Sequence, residues 1–484
     1  MVAVPKALIL PSWWPLPLLV ALAAVVRFAT IDQQSLWYDE AVTALRVLHP
    51  SLASTLSAVV HVENTPPLYY LVEWGWTRVL GTGVFALRSL SAVAGVATVA
   101  VGWAIGRELG SRGTAIVLAA IVASNPLFLW YSQEARSYEL FVLVASLAFL
   151  FFLRAHARPT RRNVAAWALC SVLALLTHYF AAFLVAPEAA LLLRGRVRDR
   201  RVLAAIGAVA ATGVALLPLV HAQGGRGTGW ISNWPLSGRL EAVAQYYLLG
   251  ESGRPLGRPI LLLAAVPILA ALALAARLNA RERAGALLCA GVGVSSVVAP
   301  LTLKLAGVDY FTPRYLVAAY VPLSAVLALL LTAGRSRVGA ALAVLVCTGN
   351  LLVLAAVDRR PQLQRGDWRG VADALRSGPP ERAVVIAVVG AVPLQYYEPH
   401  LLQLSPRQTV RVREIDLVGY PPLRAGAEHP PTGFSLASRS TIHGIVMLRF
   451  RAPHAVPISG QRLLSRRPVL VDTEALASHV ASNQ

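Results

Sequence analysis

The residues able to do chemistry in this chain sit in a few short polar interruptions of an otherwise apolar sequence. The first is Trp37-Tyr38-Asp39-Glu40. Paired carboxylates beside apolar surface titrate apart, and one of them can serve as the general base that takes a proton from a poorly acidic hydroxyl. The same pair also suits a solvated turn or the first turn of a helix. A second cluster, His61-Val62-Glu63-Asn64, precedes Thr65-Pro66-Pro67. His61 and Glu63, two residues apart, are candidate ligands for a divalent cation or contacts for a substrate. Alternatively they solvate the entry to a following helix, which the double proline makes extended.

Three more clusters follow. Ser132-Gln133-Glu134-Ala135-Arg136-Ser137-Tyr138 lies wedged between long apolar runs. Polar density so close to hydrocarbon is costly unless the groups face a wet cavity or one another, and a pairing of Glu134 with Arg136 is the structural alternative to substrate binding. Thr177-His178-Tyr179 forms the apex of a tight turn; a lone histidine there is either an interfacial hydrogen-bonder or a substrate contact. In Asp309-Tyr310-Phe311-Thr312-Pro313-Arg314-Tyr315, Arg314 is a planar fork suited to a pair of phosphate oxygens, or a cation snorkelling at an interface. Far downstream, Gln395-Tyr396-Tyr397-Glu398 offers aromatic groups that could close over a site or pack within a domain.

The elements that hold these clusters are set by composition. Of 484 residues, 56% are hydrophobic and 14% charged, with a mean hydropathy of +0.59, which excludes a soluble globular enzyme. Apolar runs at about 7–26, 85–106, 113–131, 138–153, 164–178, 180–193, 202–221, 259–276, 284–304, 315–334 and 338–357 predict eleven membrane spans. The first lacks a small-residue cleavage site and is read as a retained helix. With the N-terminus inside, Arg107 and Arg112, Arg154 to Arg162, Arg194 to Arg201, Arg277 to Arg283, and Arg335 with Arg337 all fall on inner loops, as the positive-inside rule requires. Counting 66–80 as a span would invert that pattern, so it is read as an interfacial helix with Tyr70, Trp74 and Trp76 at headgroup depth. The long first outer loop then covers about 31–84. Ten of the fourteen acidic residues before position 358 fall on or next to outer loops.

A net charge of +20 would suggest nucleic acid in a soluble chain, but here the cations mark inner loops, and no nucleic-acid partner is expected. All but Lys6 and Lys304 of the 44 basic residues are arginine, the bias of a GC-rich bacterial genome. Cys170, Cys289 and Cys347 each sit inside an apolar run, as buried small hydrophobes do. After residue 357 the composition shifts and no run reaches spanning length. We read 1–357 as a transmembrane body and 358–484 as a small extracytoplasmic α/β domain, with helices at 368–377 and 392–402, strands at 383–389 and 444–450, and breaks near Pro421, Pro430 and Pro457.

Taken in order, Asp39-Glu40, Pro66-Pro67-Leu68-Tyr69-Tyr70, Gln133 to Tyr138, Thr177-His178-Tyr179 and Arg314-Tyr315 resemble the polytopic C-type (GT-C) glycosyltransferases. The likeness is to the bacterial family 39 group, with protein O-mannosyltransferases and aminoarabinose transferases as relatives. The resemblance implies a hexosyl- or pentosyltransferase that moves a sugar, with inversion, from a polyprenyl-phosphate donor. The acceptor would be a lipid, glycan or cell-envelope polymer at the outer face of the bacterial plasma membrane. It implies Asp39 as general base with Glu40 beside it, and Arg136, His178, Tyr179, Arg314 and Tyr315 on the donor phosphate or sugar. Tyr38, His61, Glu63, Asn64, Gln133, Glu134, Tyr138, Tyr396 and Tyr397 are further candidate substrate contacts. No cofactor is required by this reading, although a divalent cation at Glu63 and His61 is compatible with it. The competing reading is a polytopic transporter or lipid flippase, which would place ionisable groups at mid-membrane in two related halves. Only Glu188, after Pro187, fits that description.

Overall fold

The computed structural model describes residues 14–224, 228–379, 381–405, 407–423, 431–460 and 469–472. The first apolar run before Trp14, and Pro430, lie outside them. The chain divides into two compact units. One contains residues up to Ile31 and Pro50–Val357; the other contains Asp32–His49 and Asp358 onward. The segment carrying Asp39 and Glu40 therefore folds with the C-terminal residues.

The first unit is helical, because long runs of leucine, valine and alanine without internal polar groups satisfy their backbones only within the helix. Seven of its described helices are long and apolar enough to cross a membrane: Val84–Leu109, Tyr138–Ala157, Arg200–Gln223, Gly257–Arg277, Ala280–Leu305, Pro313–Arg335 and Arg337–Arg359. An eighth is formed if Arg112–Ser124 and Pro126–Ser132, bent by 56° at their break, count as one span. The remaining predicted spans are shorter helices: Pro15–Phe28, Arg161–Thr177 and Ala181–Leu193. The 66–80 stretch is a helix, Leu68–Leu80. Burial separates the long helices by role. Val84–Leu109, Tyr138–Ala157 and Pro313–Arg335 are mostly enclosed, whereas Gly257–Arg277 is 17% buried and lines the periphery of its unit.

The 113–131 run, read as continuous, is broken by Pro126, whose missing N–H and ring end the preceding helix. Asn125 caps the next one, its Oδ1 accepting from the N–H groups of Leu127 (2.9 Å) and Phe128 (3.4 Å). The 315–334 run begins as a 3-10 helix, Pro313–Ala319, before the α-helix Tyr320–Thr332.

The second unit is α/β. Its strands are β1 (Arg382–Ile386), β2 (Leu401–Gln403), β3 (Thr409–Gly419), β4 (Ser435–Ile442), β5 (Ile445–Ser459) and β6 (Val469–Asp472), in the sheet order β2-β6-β1-β3-β5-β4. β1 and β3 are parallel; the other pairs are antiparallel. β1 is buried along its whole length. Its Ala383 and Val385 join one core with Ile415, Leu448 and Phe450, and its Val384 and Ile386 join another with Trp368 and Leu394, the alternation of a strand covered on both faces. The helix Trp368–Arg376 agrees with the sequence pattern, capped by Asp367. Several boundaries move, and one expected break is absent: the strand expected at 444–450 runs on to Ser459, through Pro457, because β3 pairs with it out to that residue. Strand β1 stops at Ile386 because a helix begins at Val388, and that helix ends at Tyr397, not at 402, because Leu401–Gln403 pairs with β6.

Candidate active site

In the first unit the site is built around the helix break at Pro126. A broken helix leaves carbonyls without partners, and Arg27, fully buried at the end of Pro15–Phe28, takes them up: its guanidinium donates to the carbonyls of Ala123 (3.1 Å) and Val122 (3.2 Å) and to Ser132 Oγ (3.0 Å). Gly95 on the neighbouring helix makes room. A Cβ there would lie 2.2 Å from Ser132 Oγ, 2.7 Å from Arg27 Nε and 2.9 Å from Glu139 Oε1. Gln133 then ties the next turn back through Nε2 to the Arg27 carbonyl (3.0 Å) and Thr30 Oγ1 (2.9 Å).

This scaffold presents Arg136. Its two terminal nitrogens donate to the two oxygens of Glu63, at 2.6 and 2.9 Å, with both side chains almost fully buried. Glu63 ends the helix Leu52–Val62 and also meets the buried phenol of Tyr70. Arg136 thus pairs with a carboxylate 73 residues away, while its backbone N–H donates to the Glu134 carbonyl (2.8 Å). His61 and Glu63 face different partners here. His61 is exposed and bonded through Nδ1 to the Ser57 carbonyl (2.7 Å), while Glu63 faces the guanidinium. Among the described residues no three metal-ligating side chains converge.

His178 stands between the helices Arg161–Thr177 and Ala181–Leu193, 2% exposed. Its Nδ1 accepts from the Phe180 N–H (3.2 Å), which leaves the proton on Nε2, an atom without a hydrogen-bond partner among the described residues. Burial first, and the charge of Arg136 second, hold its pKa down to about 3. The ring stacks on Phe141 at 4.9 Å and lies 5.3 Å from Tyr315 and 5.9 Å from Tyr138. It is therefore a neutral hydrogen-bond donor in an aromatic setting. It faces a cavity of about 770 Å³ whose walls include Phe180, Phe183, Val220 and Tyr315, with Asn64, Thr65 and Tyr179 also lining it. Tyr179 donates to Gln223 Oε1 (2.7 Å), and Gln223 Nε2 donates to the carbonyls of Val59 and Thr65, so the cavity rim is cross-tied. Burial raises the Tyr179 phenol to about 12.

Arg314 is no snorkelling residue. It is 16% exposed, donates to Glu251 Oε1 (3.3 Å) and lies 5.1 Å from the Trp230 ring centre. Tyr131 donates to the other Glu251 oxygen (2.9 Å). The turn delivering Glu251 depends on Gly250, whose φ of +75° and 2.9 Å approach of a notional Cβ to Pro126 admit no side chain. Nearby in sequence, Arg239 grips Asp309 at 2.6 and 2.9 Å and holds its carboxyl below the ordinary range.

In the second unit, Asp39 and Glu40 occupy the first turn of the helix Tyr38–Val42. Adjacent helical residues point about 100° apart, so the two carboxyls do different things. Glu40 is fully buried, accepts from the Trp37 N–H (3.3 Å) and lies 3.9 Å from Arg365. Asp39 and Tyr38 are half-buried. Tyr397 accepts from the Leu36 N–H (2.8 Å), carries the Arg369 guanidinium 5.7 Å over its ring and packs edge-on to Tyr396. It thereby anchors the segment that bears the carboxylates.

Comparison with known proteins bears on this arrangement. The family model described as dolichyl-phosphate-mannose-protein mannosyltransferase matches residues 64–222. Two solved structures of ArnT from Cupriavidus metallidurans superpose over nearly the whole chain. The one bound to undecaprenyl phosphate has TM-score 0.57 at 14% identity, over 91% of this chain and 98% of that one. The apo form has TM-score 0.57 at 15% identity, over 90% and 97%. No curated protein matches by sequence. The chain has the C-type membrane glycosyltransferase fold.

Within this C-type fold the family match spans Glu134, Arg136, His178 and Tyr179 but not Asp39 or Arg314. The sequence reading missed Arg27, Gly95, Gln223 and Glu251. For Arg27 the available signal was an arginine directly abutting a span. Glu251 had only an unremarkable Gly-Glu dipeptide. Glu188, the candidate for a transport role, is fully buried and accepts from Trp167 Nε1 (2.8 Å) in the C-type body.

Proposed function

We propose that this protein transfers a sugar from a polyprenyl-phosphate-linked donor to a hydroxyl of a lipid, glycan or cell-envelope polymer, with inversion, at the outer face of a bacterial plasma membrane. Asp39 removes the acceptor proton. The acceptor oxygen attacks the anomeric carbon as the bond from that carbon to the phosphate oxygen breaks, and polyprenyl phosphate leaves with the electron pair. Fixed donors and cations stabilise the charge growing on that phosphate more than they stabilise the ground state. His178 Nε2–H, Arg136 and Arg314 are assigned that work. Tyr179 and Tyr315 flank the donor, and Tyr38, Asn64, Gln133, Glu134, Tyr138, Tyr396 and Tyr397 are assigned to substrate contact or to positioning.

The observation that carries this reading is the cavity of about 770 Å³: apolar walls, with one buried neutral histidine offering an unpartnered N–H. A lipid chain with an anionic head suits that combination, each buried methylene contributing about 0.8 kcal/mol. The fold shared with an undecaprenyl-phosphate-bound ArnT supports it.

The test is turnover of radiolabelled polyprenyl-phosphate hexose and pentose by purified protein in nanodiscs, with a membrane extract as acceptor, comparing wild type with Asp39→Asn. Label should move to a new product with wild type alone, while the variant keeps normal expression and elution. Equal turnover by Asp39→Asn removes Asp39 from the role; no turnover of any donor by folded wild type overturns the transferase reading.

A further inference from the structure

Besides the donor cavity, the second unit contains a separate polar cavity of its own. One wall is Gln33-Gln34-Ser35, a few residues before Asp39; the other runs from Asp358 to Asp367, with His443 closing it. Many of its groups are committed to building it. Gln33 Nε2 and Gln364 Nε2 both donate to the Asp358 carbonyl at 2.9 Å. The Arg365 N–H donates to Gln34 Oε1 at 2.9 Å. Asp367 accepts from Ser35 Oγ (2.9 Å) and from the Gly370 N–H (2.9 Å), and pairs with His443 Nδ1 (3.0 Å).

What the cavity offers to a ligand is therefore small and specific. Asp358, whose carboxylate has no ion pair or hydrogen bond among the described residues, and its exposed neighbour Arg359 both line it. Gln33 adds its Oε1, an acceptor not consumed by the bond its amide nitrogen makes. One anion, one cation and an amide acceptor sum to no net charge, which disfavours a phosphate or a cation. Neighbouring hydroxyls on a sugar ring, each both donor and acceptor, match it: they donate to Asp358 and Gln33 and accept from Arg359.

We infer that this cavity binds a neutral sugar unit, and that the acceptor of the proposed transfer is accordingly a glycan or glycan-headed molecule. The second half of that inference rests on the transferase reading; the binding site itself does not. The bonds from Gln33, Gln34 and Ser35 to the 358–367 segment also mean that an occupied cavity stiffens the stretch leading into Asp39.

The experiment is saturation-transfer NMR on the full-length protein in nanodiscs, using a panel of neutral disaccharides, a uronic-acid disaccharide and glucose 6-phosphate as probes. At least one neutral disaccharide should receive saturation from wild type. The signal should fall at least tenfold in Asp358→Asn, an isosteric change, and in Gln33→Ala, an exposed one, with elution profiles matching wild type. No transfer to any neutral sugar, signal unchanged in both variants, or binding confined to the phosphorylated sugar would each overturn the site. Because binding is read without turnover, the two readings fail separately. A folded protein that moves no donor label yet binds sugar overturns the transferase and keeps the site; one that transfers label but binds no neutral sugar does the reverse.

Discussion

The buried fork between Arg136 and Glu63 makes the most quantitative prediction. Both carboxylate oxygens are engaged, at 2.6 and 2.9 Å, and the side chains are 7% and 3% exposed, so solvent screens the pair very little. Removing one partner strands the other charge in a poorly solvated place, at a cost of roughly 3–5 kcal/mol, or about two to four orders of magnitude in the folding equilibrium. Replacing both partners with apolar groups of similar volume removes the stranded charge and is commonly close to neutral. Arg136→Met and Glu63→Leu should therefore each lower stability by that amount. The double variant should lie within about 2 kcal/mol of wild type, a coupling of several kcal/mol in a double-mutant cycle. The assay is equilibrium unfolding in mixed SDS micelles, run beside donor turnover. Stability and activity should part company, because the double variant regains the fold but has lost the cation assigned to the donor phosphate. A double variant no more stable than the weaker single would refute the pairing argument; one with wild-type turnover would remove Arg136 from the chemistry.

Gly95→Ala forces a Cβ against Ser132, Arg27 and Glu139, so overpacking should cost about 1–3 kcal/mol, read as a lower unfolding temperature in detergent and a loss of turnover greater than that of Gly291→Ala, where a Cβ meets nothing. His178, held at about 3 in the folded protein against 6.5 when free, stays neutral through the physiological range. The unfolded chain takes up the extra proton as pH falls from about 6.5 toward 3, so stability falls across that window; the fall should be smaller in His178→Gln, measured by unfolding temperature against pH. Asp416 has the opposite sign. Burial, the largest cause, raises its carboxyl to about 6 from 3.8 despite Arg449. The folded state then binds the extra proton, and this contribution is present below about 4 and lost as pH rises through 6. The unfolding temperature of the wild-type full chain should fall relative to that of Asp416→Asn as pH rises over that interval, and a constant offset would refute the shift.

The membrane body was legible in the sequence because apolarity over some twenty residues is a local property, and a helix is the local answer to it. Every predicted span that lies among the described residues falls on a helix, and the polar interruptions Gln133 to Tyr138 and Thr177 to Tyr179 proved to be where the cavity and its scaffold are made. The helix at Trp368 and the α/β character of the tail were legible for the same reason, through short-range periodicity and an Asp cap.

What the sequence left open was every decision that depends on partners far away in the chain. That the Arg136 fork meets Glu63 was decided across seventy-three residues of separation, by a helix end folded against the turn. The burial of Arg314 follows likewise from Trp230 and Glu251, which reach it from another part of the body. The commitment of Gln33 to Ser35 to a cavity in the second unit depends on bonds spanning more than three hundred residues. The sequence by itself determined which segments are helices or strands and which residue types carry charge among them. Only the tertiary structure decided which charges meet, because a buried charge is stable only with its partner, and that partner is supplied by packing, not by adjacency.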